Sequence, residues 1–324
     1  MATTNSTIEK IAPMFTELLI KKIECLKTDW QKPWITSLEQ GLPRNIRGTL
    51  YNGGNVLMLL FYTEFMKFTL PVFLTFNQAK EEDLSVSKGA RSFPVYYWFK
   101  FVVHKETKKT IKYEEYRKLP ATEQENYKVI PQMKYYNVFN IDQTDFAGKY
   151  PERYERMKKG EQPEDYSDGM IYEALDELVY LQNWYCPIKV QYSDSAYYSP
   201  SSDHIICPQR EQFPQGAEYY GTLLHEMAHS TGSPQRLNRT FGCFFGDALY
   251  AREELVAELT AALCGAFFGY AAVPQENNAA YLKHWLTKLK EEPAFLVEIL
   301  GDVNKAAKMI ADKVTEPVNE PAAA

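Results

Sequence analysis

Between Thr7 and Thr28, Ile8, Ile11, Phe15, Leu18, Leu19, Ile23 and Leu26 recur at three- and four-residue spacing. Lys10, Glu17, Lys21, Lys22 and Glu24 largely take the other face, which predicts an amphipathic helix. Val56–Phe68 is apolar nearly throughout and predicts a buried helix, while Val72–Phe76, Phe93–Val103 and residues 135–141 are β-branched or aromatic and predict strands. A helix is expected again over Gly169–Asn183, then short strands at Ile188–Tyr192 and His204–Cys207. Helices follow over Glu218–Ser230, closed by Gly232, and over 249–269, 278–291 and 295–312. The expected class is α+β in two domains, 1–145 mixed and 169–313 mostly helical with a small sheet. Residues 146–168, polar and broken by Pro and Gly, are expected to link them, and 314–324 to form a disordered tail.

Charge sharpens this division. The 324 residues carry a formal net charge of −6, but residues 1–140 hold 20 Lys+Arg against 14 Asp+Glu, and the remainder 16 against 28. A cationic module followed by an acidic one implies different partners for each. The five cysteines are scattered and form no C-x-x-C pair, so they are expected as reduced thiols. The start, MATTNSTIEK, lacks a basic and apolar leader, and the run Leu259–Gln275 is expected to be a buried helix rather than a membrane span. A soluble cytoplasmic protein without membrane contact is therefore expected.

The candidate chemistry lies in His225-Glu226-Met227-Ala228-His229. Residues four apart share a helix face, so both imidazoles can reach one ion, while Glu226 faces water beside it as the general base of a zinc hydrolase. A catalytic site needs a third ligand and an open position. Glu254 and Glu258 stand four apart on the next helix, and Glu258 is the only charge from Leu255 to Val273. Glu254 is assigned as third ligand, with Glu253 in reserve, and Glu258 as the acceptor behind a ligand imidazole. The alternative is that these glutamates pair at the surface with Arg252 or Lys283. The expected cofactor is zinc, or another divalent metal such as manganese. Asp203 and His204 precede a strand and are weaker candidates for substrate contact, whereas His284 and His104 suggest packing or a strand end. No Ser-His-Asp or Cys-His arrangement, P-loop or dinucleotide fingerprint competes.

The first module interleaves cations with rings: Trp30, Lys32, Trp34; Arg44, Arg47, Tyr51; Lys88, Arg91, Tyr96, Tyr97, Trp98, Lys100. Cations that track phosphates beside rings that stack on bases suit single-stranded nucleic acid, although rings in FPVYYWFKFVV equally suit a core. Lys32, Trp34, Arg44, Arg47, Tyr51, Asn52, Lys88 and Arg91 are the candidate DNA contacts, the five cations among them chosen for their turn positions.

Longer stretches carry a family resemblance. WQKPW…PRNIRGTLYNGGNVLML (30–59), FLTFNQAK (73–80), VSKGARSFPVYYW (86–98) and YNVFNIDQ (136–143) resemble the N-terminal domain of ArdC-type antirestriction proteins. EYYGTLLHEMAHSTGSPQRLNR (218–239), YAREELVAELTAALCGAF (250–267) and NNAAYLKHWLTKLK (277–290) resemble the zincin-like polyvalent-protein metallopeptidase domain of that family. The resemblance implies a mobile-element protein that protects incoming DNA from host restriction, with a single-strand-binding first domain and a peptidase-like second one. It places metal ligands on His225, His229 and Glu254, with Glu226 as general base. The implied partners are single-stranded DNA and a protein or peptide substrate, a host restriction component among the candidates. Two departures stand out: an apolar loop GCFFGD within Thr240–Leu249, and a long segment Glu106–Gln132 expected to insert a charged hairpin or helix. The rival readings are an intracellular zinc metallopeptidase with a protein-binding first domain, and a non-catalytic DNA-binding protein with a structural metal site.

Overall fold

A computed structural model describes residues 2–28, 33–36, 41–159, 171–242, 248–270 and 282–315. In chain order, the first half contains α1 (Ala2–Thr28), β1 (Arg44–Asn45), α2 (Gly54–Met66), β2 (Val72–Leu74), α3 (Phe76–Glu81) and β3 (Phe93–His104). It continues with β4 (Thr110–Ile111), α4 (Tyr113–Tyr116), α5 (Ala121–Gln124), β5 (Tyr127–Asn140), α6 (Phe146–Lys149) and α7 (Pro151–Lys158). The second half contains α8 (Glu173–Tyr180), β6 (Ile188–Gln191), β7 (Tyr197–Ser199), β8 (His204–Pro208), α9 (Gly216–Thr231), α10 (Ala248–Phe268), α11 (Leu282–Glu291) and α12 (Ala294–Thr315). The α+β class in two domains is as expected from the hydrophobic pattern.

Among the described residues, the first sheet runs β1-β2-β5-β3-β4, and its spine is the antiparallel pair β3/β5, in register from Phe93↔Val138 to His104↔Tyr127. The second runs β6-β8-β7, with β6 parallel and β7 antiparallel to β8. The segment 106–132 forms β4, two short helices and the start of β5, so β5 begins well before the strand expected at 135. α3, which the pattern did not predict, starts from a capping box: Gln78 N donates to Thr75 Oγ1 at 3.2 Å and Thr75 N to Gln78 Oε1 at 2.8 Å.

Two expectations are corrected. Residues 146–158 of the expected linker form α6 and α7. Phe146 is fully buried there against Ile46, Leu70, Val72, Leu74 and Ile141, with Tyr150 and Tyr154 at helical spacing beside it. Apolar burial of this kind outweighs the polar composition of the segment. The expected tail at 314 is likewise helical through Thr315, because Val314 packs inward; residues 316–324 lie outside the described residues.

Beyond the small cluster around Phe146, which is the first half's own, the two halves share their main core. One cluster joins α1 and α2 to α9, α10 and α12. The pair Gly53-Gly54 permits this approach. Gly53 has φ 57°, and a Cβ there would lie 2.6 Å from Asn304 Oδ1; one on Gly54 would lie 2.8 Å from Tyr96 Oη and 3.2 Å from Leu300. No helix of the described residues is long and apolar enough to cross a membrane.

Candidate functional site

α9 and α10 pack against each other and bring the candidate donors together. The flanking Leu223, Leu224, Met227 and Ala228 are fully buried, so the helix turns its two histidines toward α10. His225 Nε2 and His229 Nε2 are 3.0 Å apart. Glu254 Oε2 lies 3.4 Å from His225 Nε2, and its Oε1 3.6 Å from His229 Nε2. Among the described residues these three side chains form the one group of His, Cys, Asp or Glu donors able to share an ion, all within 4.8 Å of one another. Ligands about 2.0–2.1 Å from a tetrahedral ion sit about 3.3 Å apart, so the spacing of these two imidazoles and one carboxylate fits a divalent metal.

The far side of each imidazole faces a carboxylate. Glu253 Oε1 lies 3.2 Å from His229 Nδ1. Glu253 is itself gripped by Arg239, which donates to both its oxygens at 2.9 and 2.6 Å and also to Thr231 Oγ1 and Ala228 O, each at 2.8 Å. Glu253 thus stands behind His229 rather than among the grouped donors. Glu258 Oε1 lies 3.7 Å from His225 Nδ1, and its Oε2 accepts from Trp34 Nε1 at 2.7 Å. Neither glutamate is in a surface pair with Arg252, which instead bonds Asp302.

Burial disfavours charge on both imidazoles, yet Glu254 and its neighbouring carboxylates raise the pKa of His225, and that of His229 well above normal. Burial likewise opposes ionisation of Glu254 and Glu253, but the imidazoles, and Arg239 for Glu253, hold both below the usual carboxylate range. The negative field that keeps protons on these rings also favours a divalent cation in their place. Glu226 is 6% exposed, and burial pushes its carboxyl up, opposed in part by the two imidazoles. Asp203 and His204 are occupied elsewhere. Arg236 pairs with Asp203, with Nη1 to Oδ2 at 3.1 Å, and His204 Nδ1 bonds Ser202 Oγ at 2.9 Å.

The candidate DNA contacts divide. Trp34 is corrected: it is 0% exposed, packs on Phe61 and spends its only N–H on Glu258, so no base can stack on it. Arg44 lies in β1 and Arg47 in the turn after it, where Asn45 Oδ1 accepts from the Arg47 and Thr49 amides at 2.9 and 3.0 Å. Tyr51 is half-buried, and Asn52, Lys88 and Arg91 are exposed. Lys32 and Trp30 lie outside the described residues, as do Cys243, most of the GCFFGD loop and the side chains of Lys283 and His284.

Three groups escape sequence reasoning. Arg239 sits in a loop with no periodicity to orient it. Trp34 supports the second half from the first, across 224 residues. Tyr136 and Lys134 belong to a sheet face visible only once β5 is registered on β3.

Residues 9–139 match the family described as the N-terminal domain of anti-restriction factor ArdC, and residues 174–299 that of zincin-like metallopeptidases. Two crystal structures of the antirestriction protein ArdC from plasmid R388 share the fold. The metal-free one is 27% identical with TM-score 0.66, covering 95% of this chain and 99% of that one. The Mn(II)-bound one is 28% identical with TM-score 0.65, covering 94% and 98%. A DNA primase TraC of Escherichia coli is 28% identical over 327 residues, which is 94% of this chain but 28% of the primase. The chain thus spans under a third of that relative's length. An uncharacterised protein, y4eC of Sinorhizobium fredii, is 27% identical over 89% of this chain and 87% of its own length. With the two families matched in order and the ArdC structures matched nearly end to end, the chain belongs to the ArdC-type family of antirestriction proteins, with a zincin-like second domain.

Proposed function

We propose that this protein binds single-stranded DNA through its first domain and holds a divalent cation, zinc or manganese, at His225, His229 and Glu254, protecting DNA that enters the cytoplasm from host restriction. The observation that carries the reading is the convergence of these three donors, with Glu226 on the same turn, in a chain of the ArdC-type family. A divalent ion held there supplies Lewis acidity, polarising a carbonyl oxygen and easing deprotonation of water. Glu226 is the proton acceptor and passes the proton to a leaving amine. Glu253, held by Arg239, orients His229, while Glu258, held by Trp34, faces His225 Nδ1 at 3.7 Å as a charge rather than a hydrogen-bond partner. The peptide substrate in this reading is a protein component of the restriction machinery.

The test is an anisotropy titration of labelled single-stranded and duplex oligonucleotides across a salt series, with and without Mn2+ or Zn2+. Tighter binding of single strands, weakening as salt rises, is expected. Equal binding of duplex, or no salt dependence, overturns the DNA reading. The burial of Glu226 favours a second reading, in which the metal serves structure and protection needs no cleavage. Full antirestriction in Glu226→Gln together with unfolding of His225→Ala selects it.

A further inference from the structure

Residues paired across β3 and β5 share a face, so Tyr97, Phe99 and Phe101 lie with Tyr136 and Lys134, whereas Tyr96 lies with Met133 and Tyr135. Burial changes along β3: Phe93–Tyr96 are buried on both faces, with Asn304 of α12 donating to Tyr96 Oη at 3.3 Å, whereas Trp98, paired with buried Met133 on the second face, is 52% exposed. The first set stays open. Tyr97 is 45% exposed and Tyr136 39%. The Tyr97 ring lies 6.1 Å from both Tyr136 and Phe99, and Lys134 Nζ sits 4.6 Å over the Phe99 ring.

This face borders a cleft of about 480 Å³ lined by Arg47, Tyr51, Asn77, Gln78, Tyr97 and Tyr136, among others. That volume falls within the range that takes a small organic ligand. Rings supply stacking surface, and the Asn77 amide supplies a donor and an acceptor for a base edge. Arg47 pairs with Glu81, both more than half exposed, and so loose a pair yields readily to a phosphate. Rings interleaved with Arg47 and Lys134, in the cationic half of the chain, suit a polyanion carrying flat bases rather than a protein partner.

We infer that the open face of β3/β5 and the cleft beside α3 form the nucleobase platform of the first domain: unpaired bases stack on Tyr97, Tyr136 and Phe99, and Arg47 takes the adjoining phosphate. The assignment rests on the single-strand reading and gives it an address that the turn residues Lys88 and Arg91 do not share.

The test uses the full chain and a labelled oligothymidylate in anisotropy titrations at several salt concentrations. Tyr97→Ala and Tyr136→Ala are expected to bind about 5- to 150-fold more weakly, with the salt slope unchanged. Tyr97→Phe, which keeps the ring, retains affinity. Arg47→Ala flattens the slope of log K against log salt by about 0.7 to 1. Tyr180→Ala, removing a still more exposed tyrosine from α8, binds as wild type. If wild type binds single strands and both ring deletions leave affinity within about twofold, the platform is refuted while the DNA reading stands. If wild type itself shows no single-strand preference, that reading fails and takes the platform with it.

Discussion

Replacing Arg239 by Met tests how the metal centre is held. The Arg239 and Glu253 side chains are 3% and 4% exposed, so neither charge has water to fall back on. Methionine fills much of the guanidinium's space and donates nothing. Two losses add. The bonds to Thr231 Oγ1 and Ala228 O disappear, about 1 kcal/mol each. The Glu253 carboxylate is also stranded, costing about 3 kcal/mol, at the lower end of the usual range because His229 Nδ1 still faces it at 3.2 Å. The expected destabilisation is about 4–5 kcal/mol in urea unfolding followed by tryptophan fluorescence. Adding Glu253→Gln removes the stranded charge, so the double variant recovers about 2–3 kcal/mol of that loss. With Glu253 no longer fixed behind His229, calorimetric affinity for Mn2+ falls about 10- to 100-fold in the single variant. A loss under about 1 kcal/mol, or a double variant no more stable than Arg239→Met alone, refutes the reasoning.

Further outcomes follow from the same geometry. Trp34→Phe removes the donor to a buried carboxylate and is expected to cost about 1.5–3 kcal/mol in urea unfolding. Its single-strand affinity stays within about twofold of wild type, and a larger loss would restore the DNA contact that the turn position suggested. Gly54→Ala drives a methyl toward Tyr96 Oη and Leu300 and is expected to destabilise by about 1–3 kcal/mol, measured the same way. Glu254→Ala abolishes calorimetric Mn2+ binding whereas Glu226→Gln retains it; equal loss in both contradicts the division between ligand and base. Arg236 holds the Asp203 carboxyl below its ordinary range. The pair's stabilisation is therefore complete above the unfolded pKa of about 3.9 and is lost as pH falls through the lower folded value. Acid titration of stability should fall more steeply in wild type than in Asp203→Asn, and identical limbs would deny the pair any role.

What is legible in the sequence depends on whether a residue's surroundings repeat with a period. His225 and His229, four apart on one helix, can be put on one face from spacing alone, whereas Glu254 and Glu258 are named because Glu258 is a lone charge in an apolar run, and spacing does not orient them. Arg239 cannot be placed, since a loop residue has no period to aim it, and Glu253 reads as a reserve ligand because only tertiary packing reveals which flank of α10 meets Arg239. The rings of β3 do not mark where the strand leaves the core: Tyr96 is buried and Tyr97 and Trp98 are exposed, yet composition is aromatic on both sides of that point. Trp34 reads as a DNA contact because it stands among cations and rings in the sequence, yet its ring packs on Phe61 and its indole N–H reaches Glu258. In residues 146–158 the signal is present, as Phe146, Tyr150 and Tyr154 fall four apart, but the surrounding Lys, Arg and Glu outweigh it in a reading by composition.

The division of this chain into a cationic and an acidic half is real in charge and in family ancestry, yet it does not divide the main core. Tyr96 and Tyr97 are neighbours in one strand: the first bonds Asn304 of α12, and the second opens onto the cleft. Trp34 stands between α2, through Phe61, and the second half, through Glu258. Thr16 of α1 bonds the Pro293 carbonyl at 3.0 Å, and α1 packs along α11 and α12. A fragment cut at residue 145 would therefore expose the apolar faces of α1 and α2 that α10 and α12 cover, losing the burial that orders the back of its own sheet. The sheet face and the metal centre are two sides of one packed body, so a loss of DNA binding in such a fragment would report on its missing core before it reported on its binding surface.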